Sequence, residues 1–370
     1  MQACFFWGLL QHQPILEAQL NHPIRYEDAS LAGFEAFLNP ATDRPSLAVS
    51  ATAKLPGKVL RDVTAQEFER MQFAQSCMGL NARRVKVDLA AGGSLEVWIF
   101  LPESLPQSTG VAVWNYDIWA AKFGAEYAQA AQDATVQFFD KPAIAARVPQ
   151  LVVRAASKLR AQVAAETQLR RHADAGDVAV AARREPYARF FALEEIDVSY
   201  RRFDGEMSPQ VTRAGLISCD AVTVLPYDPK RDRVLLIEQF RAGPQFRGDP
   251  QPWQLEAIAG RIDSGETPEE AARREAMEEA GLALDALLPV AQYYPSPGIL
   301  SEFLYSYVAL TDLPDGVAGV FGVEGEAEDI RGHLVSFDEM MRLVTSGEIG
   351  NGPMLLTAYW LAQNRARLRA

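Results

Sequence analysis

Between Gly260 and Leu282 the chain reads GRIDSGETPEEAARREAMEEAGL, and no other stretch constrains its fold and chemistry as tightly. Six acidic residues fall between Glu266 and Glu279, and Glu275, Glu278 and Glu279 stand at positions i, i+3 and i+4. That spacing places three carboxylates on one face of an α-helix, about a turn apart. The helix start is marked by Thr267 as cap, Pro268 at the first helical position and Glu270 three residues after the cap. Gly281 suits its C-terminal stop. Carboxylates crowded in this way repel one another and call for a counter-charge. A divalent cation supplies it, because hard cations such as Mg²⁺ take oxygen ligands. For EAMEE alone, the competing reading is a solvated acidic face paired with Arg273 or Arg274.

The stretch carries more than three glutamates. Gly260, Glu266, Arg274-Glu275, Ala276, Glu278-Glu279, Gly281 and Leu282 together resemble a complete Nudix box. The resemblance implies hydrolysis of X-linked nucleoside diphosphates, with Mg²⁺ or Mn²⁺ held on a loop-helix-loop. Segments outside the box, RRFDGEMSP, VLLIEQFR, LEAIAG, SPGILSE and EGEAEDI, match in order the ADP-ribose pyrophosphatases and related nucleotide-sugar hydrolases. Pro297 stands sixteen residues after Gly281, as in the ADP-ribose group. Two positions depart from that pattern: Ala214 follows Arg213 where relatives usually have Glu, and Ile299 replaces a second Gly.

By this resemblance Glu275, Glu279 and Glu278 are metal ligands, the Ala259 carbonyl completes the shell, and Glu266 contacts the metal through water or holds the loop. Arg274 orients a catalytic glutamate through charge-assisted hydrogen bonds. The base for the attacking water is expected in the acidic loop 323–329, with Glu326 as first choice and Glu328 as second. Arg241 reaches a substrate phosphate or forms a salt bridge, and Glu302 accepts hydrogen bonds from a ribose. Arg213, Phe203 and the segment around them, 200–213, resemble the part exchanged between subunits in dimeric relatives, where it brackets the nucleobase; a homodimer is therefore expected. The four histidines, His333 among them, lack metal-ligand spacing.

At 370 residues the chain suits more than one domain. Residues 1–102 are similar to the gamma-glutamylcyclotransferase fold, a small mixed α/β barrel. FFWGLL takes the place of that family's apolar strand and Tyr-Gly-Ser/Thr-Leu, but Trp7 replaces the Tyr and Leu9 the Ser/Thr. Gln75 occupies the place of the catalytic glutamate, and an amide does not exchange a proton at neutral pH. This domain is expected to be inactive. Residues 103–186 read as a helical bridge: an aromatic-rich run from Trp114 to Phe139, a helix from Gln150 to His172, and a hinge at RHADAGDVAVAARREP. Residues 187–370 form the Nudix domain, so the expected fold class is α+β, an α/β/α sandwich behind a mixed α/β barrel.

A net charge of −12 excludes a nucleic-acid backbone or an anionic membrane as main partner. Cys4, Cys77 and Cys219 show no CxxC pairing, and there is no signal-peptide pattern or long apolar run, which together imply a cytoplasmic protein. The expected reaction is hydrolysis of ADP-ribose to AMP and ribose 5-phosphate. GDP-mannose or another nucleotide sugar is the alternative substrate, and a nucleotide-sugar sensor without turnover is the competing class.

Overall fold

The computed structural model describes residues 1–39, 44–106, 113–134, 141–163, 168–322 and 329–370. They fall into two compact units, Met1–Val163 and Ala164–Ala370.

In the first unit β1 (Gln2–Phe6), β2 (Tyr26–Asn39), β3 (Arg44–Val63), β4 (Leu80–Leu89) and β5 (Ser94–Pro102) close into a barrel in the order β1-β3-β2-β4-β5. One parallel contact, Cys4 opposite Trp98, completes the ring. Phe5, Leu31, Leu55, Val59, Val87, Val97 and Ile99 fill one apolar cluster. Alternate residues of the same strands, Cys4, Phe6 and Phe100, face the opposite way. They pack with Leu16 of α1 (Gln13–Leu20) and Phe68 and Met71 of α2 (Ala65–Cys77).

Pro56-Gly57, a dipeptide that by itself reads as a turn, lies inside the 20-residue β3 instead. A Cβ on Gly57 would stand 2.4 Å from the Phe5 ring, so glycine there admits the ring rather than turning the chain. The aromatic-rich run becomes α3 (Tyr116–Ala134), where Trp119 packs on Ile15 and Tyr127, and α4 (Lys141–Ala161) follows. Trp119 is buried, and Trp114, Tyr116, Phe123 and Tyr127 pack half-buried around it.

The second unit opens with an antiparallel sheet of β6 (Val178–Ala188), β7 (Ala192–Tyr200) and β8 (Val211–Ile217). β6 runs through the stretch that reads as a hinge. Eight of its eleven residues are exposed and none is buried, so it lacks the apolar alternation that marks a half-buried strand.

The main sheet holds β9 (Ala221–Asp228), β10 (Arg233–Phe240), β11 (Trp253–Glu256), β12 (Ile258–Arg261), β13 (Ala286–Tyr293), β14 (Leu304–Leu310), β15 (Val320–Phe321) and β16 (Ile330–Ser336). Its order is β13-β14-β9-β10-β16-β15, with β11 paired to β10 and β12 to β9. A short helix, α5 (Ala242–Arg247), joins β10 to β11. β9 is buried on both faces, Val222 and Val224 on one and Leu225 and Tyr227 on the other. On the first face lies α6 (Pro268–Ala280), which presents Ala271, Ala272, Ala276 and Ala280 and so approaches the sheet closely. α7 (Phe337–Ser346) and α8 (Gly352–Leu368) cover the second with Met340, Met354 and Leu361. The result is a mixed sheet between helical layers.

Candidate active site

α6 is anchored at both ends by its own sequence. The Thr267 hydroxyl accepts the Glu270 N–H at 3.2 Å, and the Glu270 carboxylate accepts the Thr267 N–H at 2.9 Å. Gly281 ends the helix at φ 61°, in the left-handed region that glycine adopts without strain. Between these ends Arg274 gathers the carboxylates. Its Nε and Nη2 donate to Glu266 at 2.9 and 3.0 Å, and Nη1 donates to Glu275 at 2.7 Å and Glu278 at 3.0 Å. Nη2 also meets the Arg261 carbonyl at 2.9 Å, which ties the helix to the end of β12.

The main sheet sets the depth of the site. β12 runs beside β9, with Ala259 opposite Thr223, and delivers Gly260 beneath α6. The Glu275 carboxyl lies so close that a Cβ on Gly260 would stand 1.9 Å from its carbon. Glu279, 2% exposed, accepts the Ala259 N–H at 3.0 Å. Burying a carboxylate is costly unless hydrogen bonds or counter-charges hold it. Glu266, Glu275 and Glu278 share the Arg274 guanidinium, which leaves an excess of negative charge against the sheet, and Glu279 lies on the Ala259 amide.

Oxygen-only donors with excess negative charge suit a hard divalent cation. Among the described residues no three acidic, His or Cys side chains converge on one point as a metal cage. Glu275 and Glu278 are turned onto Arg274, and Glu279 onto the Ala259 amide.

A second group of charges surrounds Glu302. Burial pushes its carboxyl above the usual carboxylate range, Arg261 and Arg241 pull it down, and Asp220 adds to the rise. Arg241 donates through Nε and Nη2 to one oxygen of Glu256, at 2.9 and 2.6 Å. Arg261 stacks on Phe190, 3.8 Å from the ring centroid, with Phe191 at 5.5 Å. The loop that carries Glu302 extends the three-stranded sheet: Leu216 of β8 bonds Ile299 and Ser301 through its backbone, at 2.8 and 3.1 Å. Ser301 adds two contacts to Ser218, at 2.9 and 3.0 Å.

A NUDIX domain model matches residues 218–357. Over 193 residues the chain is 38% identical to the ADP-ribose pyrophosphatase of Escherichia coli K12, covering 52% of this chain and 91% of that protein. The chain belongs to the Nudix family. The ADP-ribose pyrophosphatase of Haemophilus influenzae is 34% identical over 200 residues, 54% of this chain and 92% of that protein. A GDP-mannose pyrophosphatase from Enterobacter sp. (strain 638) is 31% identical over 176 residues, 46% and 88% of the two chains.

Of the residues picked from sequence, the Nudix fold brings Ala259, Glu266, Arg274, Glu275, Glu278 and Glu279 into one cluster. Arg241 sits on a salt bridge to Glu256, one of the two alternatives open for it. Arg213 is exposed on β8, its guanidinium 3.1 Å from the Thr212 carbonyl. Phe203 is 97% exposed, in the turn between β7 and β8. Glu326 and Glu328 lie outside the described residues. Sequence reasoning passed over Arg261, Glu256 and Phe190. The Phe190-Phe191 doublet was the available signal, two large rings side by side at a hairpin turn, where a core strand would alternate them with polar residues.

Proposed function

We propose that the Nudix unit hydrolyses the diphosphate of ADP-ribose to AMP and ribose 5-phosphate with bound Mg²⁺ or Mn²⁺. The observation that carries this reading is the group of carboxylates along α6 and its entry loop, Glu266, Glu275 and Glu278 on Arg274 and Glu279 on the Ala259 amide, with Glu275 against Gly260. A bound divalent cation supplies charge neutralisation of the diphosphate and acidification of a water. Glu275 and Glu279 are its first ligands, with Glu278 and the Ala259 carbonyl beside them. Arg274 then keeps the carboxylates from scattering, and Glu302 binds ribose hydroxyls. Glu326 takes the proton from the attacking water, and Arg241, Arg213 and Phe203 hold the nucleotide.

GDP-mannose is the second reading, supported by the 31% identical relative and by Ala214 and Ile299 at positions that bear on ligand contacts. Purified full-length protein with Mg²⁺ is expected to release AMP from ADP-ribose faster than GMP from GDP-mannose or UMP from UDP-glucose. EDTA is expected to abolish the release. No release from any of the three would favour a sensor.

The three-stranded sheet supports a homodimer as the working form. Val178, Val180 and Tyr200 are exposed together on one face of it, where Val178 pairs with Tyr200, and exposed apolar residues grouped in this way mark an interaction site. Light scattering at micromolar concentration should give twice the chain mass; a monomer would end this part of the proposal. Three free, buried cysteines fit a cytoplasmic location, and no helix among the described residues is long and apolar enough to cross a membrane.

A further inference from the structure

Arg261, the last residue of β12, is tied to the carboxylate cluster through its backbone, while its side chain reaches a different set of groups. Its carbonyl accepts Arg274 Nη2 at 2.9 Å. Gly260, just before it, is where a Cβ would collide with the Glu275 carboxyl, and Ala259 gives its N–H to Glu279. The Arg261 guanidinium lies on the hairpin between β6 and β7, 3.8 Å from the Phe190 ring centroid and 5.5 Å from that of Phe191. Glu302 stands within its field. Burial raises that carboxyl, and of the two arginines that pull it back, Arg261 acts more strongly than Arg241.

A diphosphate brought to this cluster meets negative charge on more than one side. Glu266, Glu275, Glu278 and Glu279 lie along α6 and its entry loop. Asp220, 3% exposed, lies beside β12, its carbonyl taking the Ile262 N–H at 3.1 Å. Divalent cations on the glutamates would neutralise one flank of the diphosphate, and the other flank calls for a cation of the protein's own. Arg274 divides its donors among Glu266, Glu275, Glu278 and the Arg261 carbonyl, and Arg241 gives Nε and Nη2 to Glu256. Arg261 is held in another way, with a phenyl ring against its face. A guanidinium stacked on a ring keeps its N–H groups in the guanidinium plane, where their fork matches two phosphate oxygens. The residue is half-buried, so an anion can reach it from solvent. The stack also fixes a long side chain in advance, and less rotamer entropy is lost when the anion arrives.

We propose that Arg261, laid on Phe190, binds the diphosphate of the substrate from the flank that the cations leave uncovered. Phe190 is then a positioning residue that acts through Arg261. The proposal rests on the reading of the carboxylate cluster as a site of diphosphate hydrolysis.

The probe is methylenediphosphonate, which carries the oxygens of a diphosphate, has neither base nor sugar, and resists hydrolysis. Calorimetry with Mg²⁺ reads its Kd for the full-length wild type, Arg261→Gln, Arg261→Lys, Phe190→Ala and the Arg261→Gln/Phe190→Ala double variant. Arg261→Gln should weaken binding about tenfold, and Arg261→Lys, which keeps the charge without the fork, should fall in between. Phe190→Ala should weaken it about threefold. The double variant should be no worse than Arg261→Gln, because residues acting through one another are non-additive. With ADP-ribose, Arg261→Gln should raise KM about tenfold at nearly unchanged kcat, the mark of binding lost equally from ground and transition states. A wild type that does not take up the probe would overturn the proposal, as would unchanged affinity in Arg261→Gln and Arg261→Lys or losses that multiply in the double variant. A wild type that binds the probe and hydrolyses no nucleotide sugar would sink the functional reading instead, and the Arg261 contact would stand.

Discussion

Arg274 and Gly260 do opposite jobs at one site. The arginine supplies five donors in a rigid fork and spends them on three carboxylates and a carbonyl. The glycine supplies space. Gly260→Ala would drive a methyl group into the Glu275 carboxyl, and the carboxyl has to leave. A displacement of about 1 Å at a reacting centre can cost roughly 10²-fold in rate, so kcat should fall by about that factor. Steady-state AMP release beside a thermal melt checks it; a variant with normal kcat would remove the Glu275–Gly260 contact from the site's design. Arg274→Lys keeps the charge but not the fork, and should weaken Mg²⁺ activation as well as turnover. A magnesium titration of the rate reads this directly.

At the scale of elements, the β9–β10 turn and the closeness of α6 to the sheet are the sensitive points. Asp228 is buried at the turn, where it accepts the backbone N–H groups of Lys230, Arg231 and Leu313 and the Arg231 side chain. Burial alone would raise its pKa, but these bonds win and hold it at about 2. A depressed carboxylate contributes stability above its unfolded pKa of about 3.9 and loses that contribution as pH falls through the folded value. Asp228→Asn should therefore lower stability by about 1–3 kcal/mol at pH 7, with the gap to wild type closing between pH 4 and 2. Denaturant melts across that range test it; a gap independent of pH would show that the charge is irrelevant. On α6, Ala272 is fully buried in the core that joins the helix to the sheet. Ala272→Leu should cost about 1–3 kcal/mol by overpacking and shift the glutamates with the helix.

At the scale of the whole chain, two units with different contents share one polypeptide. The barrel's interior is filled by Phe5, Leu31, Val59, Val87 and Ile99, and Trp7 packs against the same cluster. Such a lining offers no group for proton transfer, and Gln75 on α2 cannot supply one. No 5-oxoproline should appear from gamma-glutamyl substrates, even at high enzyme concentration. Robust release would overturn the view that this unit has no cyclotransferase chemistry.

α6, its caps, its three aligned glutamates and the oxygen-donor chemistry they imply were legible in the residues alone. All of these depend on residues within about one helical turn of each other, where spacing dictates geometry. That Arg241 answers Glu256, fifteen residues on, and that Arg261 lies over Phe190 follow from the folded chain and not from local spacing. The closing of the barrel and the ion pair of Asp177 with Arg201 belong to the same class. A charge has many candidate partners along a chain, and which one it meets is settled by strand pairing and packing across long separations. β6 shows the same limit: a strand exposed on both faces carries no periodic signal and becomes visible only when β7 pairs with it.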